Sequence, residues 1–233
     1  MIELAVTCSR CDARAVHGVG AVLLDRDALE GADDEAAWTR AVYVPVSLAC
    51  PSCGALDAHR VEPASGRALV VDGEHVREGR AALSDGTPIY TPSEGLARLA
   101  AHADAHPDDP QGWRALGNFA LRAGRADEAL AAWRRGAELD GELECALNVA
   151  VDAVAREDAS APALLCRALE RVVFGQPGRR SLQSAHLAEL VRRSRAPLAL
   201  ALDGEPVDVA RVRDWSGLGE RLARARQVRA SPR

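Results

Sequence analysis

The chain has 233 residues, 48% hydrophobic and 27% charged, with a formal net charge of −5. Those proportions are ordinary for a folded soluble protein of one large or two small domains, and no stretch approaches the ~20 apolar residues of a membrane span. Aromatic residues are only 3%, so the core must be built from Ala, Leu and Val, which suits close-packed helices better than a β-sandwich. All 29 basic residues are arginine; with the excess of alanine, this reads as a GC-rich coding bias rather than a functional choice of guanidinium.

Charge is unevenly spread. Residues 1–75 hold 6 Arg against 12 acids, residues 76–175 hold 11 against 16, and residues 176–233 hold 12 against 6. An acidic head and middle therefore precede a basic tail. The opening Met1-Ile2-Glu3-Leu4 has no basic region followed by an apolar run, so a cytoplasmic, reducing location is expected. In such a compartment paired cysteines are read as metal ligands before disulfides.

In chain order, the head reads as strands. Residues 13–24 and 41–49 are rich in Val, Leu and Ala, with the acidic stretch 25–35 between them. Residues 56–62 and 67–71 flank Pro63-Ala64-Ser65-Gly66 and read as a hairpin. Gly79, Gly86, Pro88 and Pro92 mark residues 76–92 as a linker. Helical periodicity begins after Pro92. Helices are expected at 93–106 with Ser93 as N-cap, at 110–124, 126–139, 142–157, 161–174 and 181–195. Residues 197–209 read as a short hairpin turning at Asp203-Gly204, before an Arg-rich end.

The densest chemical signal is a pair of C-x-x-C motifs, Cys8-Ser9-Arg10-Cys11 and Cys50-Pro51-Ser52-Cys53-Gly54. Two intervening residues let one tight turn aim both thiolates at a single ion, and two such turns complete the tetrahedral shell that zinc prefers. Four thiolates leave no open position for water, so a structural Zn2+ is expected. Gly54 suits a turn of positive φ. The gap between the pairs is long, but extra loop residues cost little closure entropy. Redox-active or unliganded cysteines are the alternatives. His17 and His59 each follow a pair by six residues and could substitute as ligands, though strand-face histidines are the simpler reading.

Two C-x-x-C knuckles with strands between them, and C-P-x-C-G at the second, resemble zinc ribbons and more specifically the bacterial CpXC domain over roughly residues 5–72. The first knuckle departs from that pattern, with Ser9 and Asp12 in place of proline and glycine. The resemblance implies a metal-binding module of a bacterial protein and no known reaction.

Residues 110–141 resemble a tetratricopeptide repeat. Trp113, Leu116 and Gly117 match its W-x2-L-G opening, 124–129 its inter-helix turn, and Trp133 its large aromatic. Gly117 and Ala129 would let two antiparallel helices approach closely, with Gly136 or Ala137 at a second small position. One repeat cannot bury its faces alone, and residues 93–106 and 148–170 read as degenerate neighbours. The resemblance implies a peptide groove lined by Arg114, Asn118, Arg122 and Asn148, some repeats of this kind holding a partner's C-terminal carboxylate with such residues. A solvated helix face is the alternative.

Cys145 and Cys166 lie on apolar helical faces and read as core. Asp33-Asp34-Glu35 reads as a solvated loop. No nucleophile elbow, phosphate-cradling loop or zinc-protease motif occurs, so the chain is not expected to be an enzyme. Arg221, Arg224, Arg226 and Arg229 are the only nucleic-acid signal; the acidic head and scarce aromatics weigh against it. The expectation is an α+β chain: a zinc ribbon over 1–75, a linker over 76–92, tetratricopeptide-like helices over 93–175, and a helix, hairpin and Arg-rich tail over 176–233. Its expected role is a non-enzymatic adaptor for a protein partner, with nucleic-acid association as the alternative.

Overall fold

The computed structural model describes residues 1–29, 33–71, 74–139 and 143–156, with Asp158, Leu164 and Ala168. The chain is mixed α+β, with small N-terminal sheets followed by helices. In order come β1 (Ile2–Cys8), β2 (Arg14–Val19), β3 (Val22–Leu24), a single 3-10 turn (Asp27–Leu29), α1 (Glu35–Ala41) and β4 (Val42–Tyr43). Then follow β5 (His59–Val61), α2 (Pro63–Val71), β6 (Val76–Glu78), α3 (Pro92–Ala105), α4 (Pro110–Arg122), α5 (Ala126–Glu138) and α6 (Leu143–Ala155). Two compact units result. One comprises Met1–His102 with Asn118–Ala126; the other comprises Ala103–Gly117 with the described residues from Asp127 onward.

In the first unit β1 is the centre of an antiparallel sheet ordered β2-β1-β5. Its alternation buries Leu4, Val6 and Cys8 on one face, as a period of two requires. A second sheet is ordered β4-β3-β6, with β3 antiparallel to β4 and parallel to β6. Leu4, Val6, Val19, Val22, Leu24, Trp38, Val42, Val61 and Leu69 form one core between these elements.

Several sequence expectations are corrected. Residues 41–49 are not one strand: Asp34 caps α1, its Oδ1 accepting from the Ala37 N–H at 2.7 Å, so Trp38, Ala41 and Val42 are buried at helical spacing and only Val42 and Tyr43 pair as β4. Pro45 then lacks the N–H a ladder would need. Residues 67–71 are helix, not the return arm of a hairpin. Pro63 opens α2, and Gly66 lies against the Trp38 ring, where an added Cβ would stand 2.3 Å from Cε3. The Pro-Ala-Ser-Gly segment is thus a first helical turn; Pro is favoured there because its missing N–H has no intrahelical partner to lose. Part of the stretch read as linker lies in a sheet as β6, and Ile89 and Ala81 behind it are buried. Thr91, not Ser93, caps α3, its Oγ1 accepting from the Glu94 N–H at 3.2 Å.

The helices from α3 to α6 match their expected spans to within about two residues. In the second unit large residues sit on small ones. A Cβ at Gly117 would stand 2.4 Å from the Trp133 ring, and one at Gly136 would stand 2.7 Å from the Cys145 Sγ and 3.2 Å from Trp113 Cβ. Ala129, Ala132, Trp133, Leu147 and Ala150 fill this core. Cys145 is fully buried, as its apolar helical position implied. The expected helices at 161–174 and 181–195, Cys166, the hairpin at 197–209 and the Arg-rich end lie outside the continuously described residues. No described helix is long and apolar enough to cross a membrane.

Candidate metal centre

Two turns of the same construction carry the four cysteines. Cys8 ends β1; its N–H donates to the Ala13 carbonyl at 2.9 Å, and the Asp12 N–H returns to the Cys8 carbonyl at 3.0 Å. At the second turn the Cys50 N–H donates to the Ala55 carbonyl at 2.9 Å, and the Gly54 N–H to the Cys50 carbonyl at 2.9 Å. Both turns need a residue of positive φ directly after the second cysteine, supplied by Asp12 at 55° and Gly54 at 71°. Aspartate is among the residues that tolerate this region, and Arg60 Nη2 steadies its carboxylate at 2.7 Å. Asp12 therefore meets at the first turn the same backbone demand that Gly54 meets at the second.

The turns face each other. Cys8 Sγ lies 3.8 Å from Cys53 Sγ, Cys11 Sγ lies 3.7 Å from Cys50 Sγ, and all four sulfurs fall within 4.8 Å of one another. A tetrahedron of thiolates at the usual zinc–sulfur distance has an edge of roughly 3.8 Å, so the donor set fits zinc in both chemistry and size. Cys8 and Cys50 are buried while Cys11 and Cys53 are exposed. Ion access is thus from one side.

The electrostatics of the metal-free thiols point the same way. The Cys53 and Ser52 N–H groups aim at the Cys50 sulfur and bring its pKa down to about 6. The Ala13 N–H lowers that of Cys11, but hydrogen bonds to Cys53, Cys50 and Cys8, together with desolvation, push it up to about 12. Four thiols in this space cannot all ionise without a cation to take up the charge. His17 and His59 are not in the ligand group. His59 lies opposite Cys8 in the sheet register; its pKa is lowered by burial, against the pull of Asp57, and His17 adds to the lowering.

The residues expected to line a groove are placed as follows. Arg114, on α4 in the second unit, holds the chain's own Glu144 through Nη1 at 2.9 Å. The Glu144 side chain is only 6% exposed, so this arginine answers an internal carboxylate. Asn148, on α6, is half-buried in the same unit. Asn118 and Arg122 belong to the first unit; Asn118 is half-buried, and Arg122 is exposed with its guanidinium carbon 6.0 Å from the Phe119 ring centre. Arg221, Arg224, Arg226 and Arg229 lie outside the described residues.

Sequence reasoning missed a buried polar cluster in the first unit. Asp57, whose side chain is 1% exposed, accepts from the Leu48 N–H at 2.8 Å, the Ser47 hydroxyl at 3.0 Å, and the Ser93 N–H and hydroxyl at 2.9 and 2.6 Å. Arg125 Nη2 pairs with it at 3.0 Å. Arg125 also donates to the Ser47 and Ser93 hydroxyls. The five residues have no motif spacing along the chain, and an Asp four positions past a knuckle cysteine was the only available signal. No protein-family model matches the chain, and neither a curated protein nor a solved structure matches it, so the likenesses to CpXC ribbons and tetratricopeptide repeats rest on the residues that carry them.

Proposed function

We propose that the chain is a zinc-stabilised, non-enzymatic scaffold of the bacterial cytoplasm that binds a protein partner through its helices. The four thiolates supply a closed shell, which suits a structural Zn2+ and leaves no site for substrate. A ribbon of this size gains folding energy from such an ion that its own core would not supply. The observation that carries the binding reading is the exposed end of α4: Leu121 is 51% exposed, with Arg122 exposed beside it and Asn118 one turn earlier. A large apolar residue flanked by a guanidinium and an amide is the composition of a contact surface. Arg114 enters this reading only by stabilising Glu144.

The second reading, nucleic-acid association through Arg221, Arg224, Arg226 and Arg229, draws on the basic tail alone. The test is affinity capture of the tagged full chain from a bacterial lysate at low and high salt, with and without nuclease. A protein that survives both treatments and is lost with Arg122→Glu supports the scaffold reading. Nucleic acid that leaves at high salt, and is no longer captured when residues 221–233 are deleted, would replace it with the second.

A further inference from the structure

The Asp57 cluster does more than fill a gap in the core, because of what it joins. On one side it continues directly from the second cysteine turn. Cys50 and Ala55 are hydrogen-bonded, Ala49 and Leu56 form a β-bridge, and the Asp57 N–H donates to the Leu48 carbonyl at 2.8 Å. Asp57 itself sits at φ 55°, in the left-handed region that aspartate tolerates, which turns its carboxylate inward. On the other side it holds two helix ends. Ser93 belongs to the first turn of α3. Arg125 follows the Gly124 turn that closes α4, and its own N–H donates to the Ala120 carbonyl at 2.9 Å. Ser47 reaches the same turn a second time, its N–H donating to the Ala123 carbonyl at 2.9 Å.

We infer that metal occupancy at the four cysteines controls the order of the segment Asn118–Ala126, and hence the contact surface at Leu121 and Arg122, through Asp57 and Arg125. With the ion bound, the Cys50–Cys53 turn is fixed and holds Asp57 in its positive-φ position. The carboxylate then has its full set of donors, and Arg125 pins the end of α4. With the ion removed, the turn is held only by its own backbone hydrogen bonds and the Ala49–Leu56 bridge. Asp57 relaxes, the buried pair with Arg125 opens, and the α4 end and the first turn of α3 lose their tether. The inference rests on the metal-scaffold reading and adds to it a regulation: partner binding becomes conditional on zinc.

Hydrogen exchange on the full chain, followed by mass spectrometry with zinc content measured in parallel, tests this. Removing zinc with a chelator under reducing conditions should speed exchange about tenfold, equivalent to ~1.4 kcal/mol of local stability, in peptides covering 91–96 and 118–126. Peptides from α5, in the second unit, should change little. In Ser93→Ala, a mild variant that keeps the Asp57–Arg125 pair, and in Arg125→Lys, the zinc-bound protein should already exchange faster in 118–126, and zinc removal should add less. A chain that binds one zinc, yet keeps 91–96 and 118–126 unchanged when it is removed, overturns the coupling alone. Equal loosening of α5 and 118–126 also overturns it, because zinc removal would then loosen the chain as a whole rather than through the relay. A chain that takes up no zinc overturns the metal reading and the coupling with it.

Discussion

Arg125→Met is the most direct probe of the buried cluster. The Asp57 side chain is 1% exposed and Arg125 14% exposed, with 3.0 Å between Oδ2 and Nη2. Removing the guanidinium leaves a carboxylate sealed from water, with only neutral donors from Ser47, Leu48 and Ser93. Stranding one member of a buried pair costs about 3–5 kcal/mol, far more than the pair contributes relative to an apolar replacement. Asp57→Asn should cost less, since Arg125 keeps some access to water and the amide can still accept from the Leu48 N–H. The two losses should not add: the double variant should fall short of their sum by roughly 0.5–3 kcal/mol, the range for groups sharing one network. Urea unfolding of the four proteins with zinc present, followed by far-UV circular dichroism, gives the cycle. An Arg125→Met loss below about 1 kcal/mol, the size of an exposed pair, or strict additivity, would refute the view of this cluster as a sealed charge network.

Zinc uptake by the metal-free chain should release protons, because Cys11 is held as a thiol by a pKa of about 12; calorimetry at about pH 7.5 in buffers of different ionisation enthalpy measures the number. Acidification should weaken binding, with Cys50 regaining its proton as pH falls through about 6; an indicator titration that finds affinity unchanged between about pH 7.5 and 5.5 contradicts thiolate ligation. Gly117→Ala should destabilise by about 1–3 kcal/mol, because the new Cβ would stand 2.4 Å from the Trp133 ring and overpacking outweighs the ~1 kcal/mol gain in helix propensity. A more stable Gly117→Ala protein in urea would show that the helices do not meet there. Arg114→Ala should lose about 2–3 kcal/mol by stranding Glu144, whose side chain is 6% exposed, and Glu144→Gln in the same chain should recover part of it. No recovery would mean that Arg114 acts elsewhere.

Features legible in the sequence were those with a periodic or local cause. The C-x-x-C turns could be read because thiolate geometry dictates their spacing, and the helices from α3 to α6 because Pro, Gly and the apolar period mark their ends. The misreadings arose where tertiary contact decided. The segment 67–71 carries Val and Leu that suit a strand, but Gly66 has to lie on Trp38, and a helix starting at Pro63 is what brings it there. Residues 41–49 suit a strand equally well, yet the Asp34 cap starts a helix that carries Trp38, Ala41 and Val42 into the core.

Asp57 and Arg125 were hidden for a related reason. Charged residues in loops normally mean solvent, and only the fold turns a carboxylate four residues past a cysteine toward a guanidinium 68 positions away. The same logic bears on how Arg114 and Arg122 divide. Both sit on α4 and looked equivalent as guanidiniums for an outside carboxylate. Glu144 occupies the first from within the chain, leaving Arg122, beside Leu121, as the arginine of α4 that a partner could meet without competing with a buried acid. Charge reversal at Arg122 therefore tests binding with the Glu144 pair intact, whereas the same change at Arg114 would confound lost capture with lost folding.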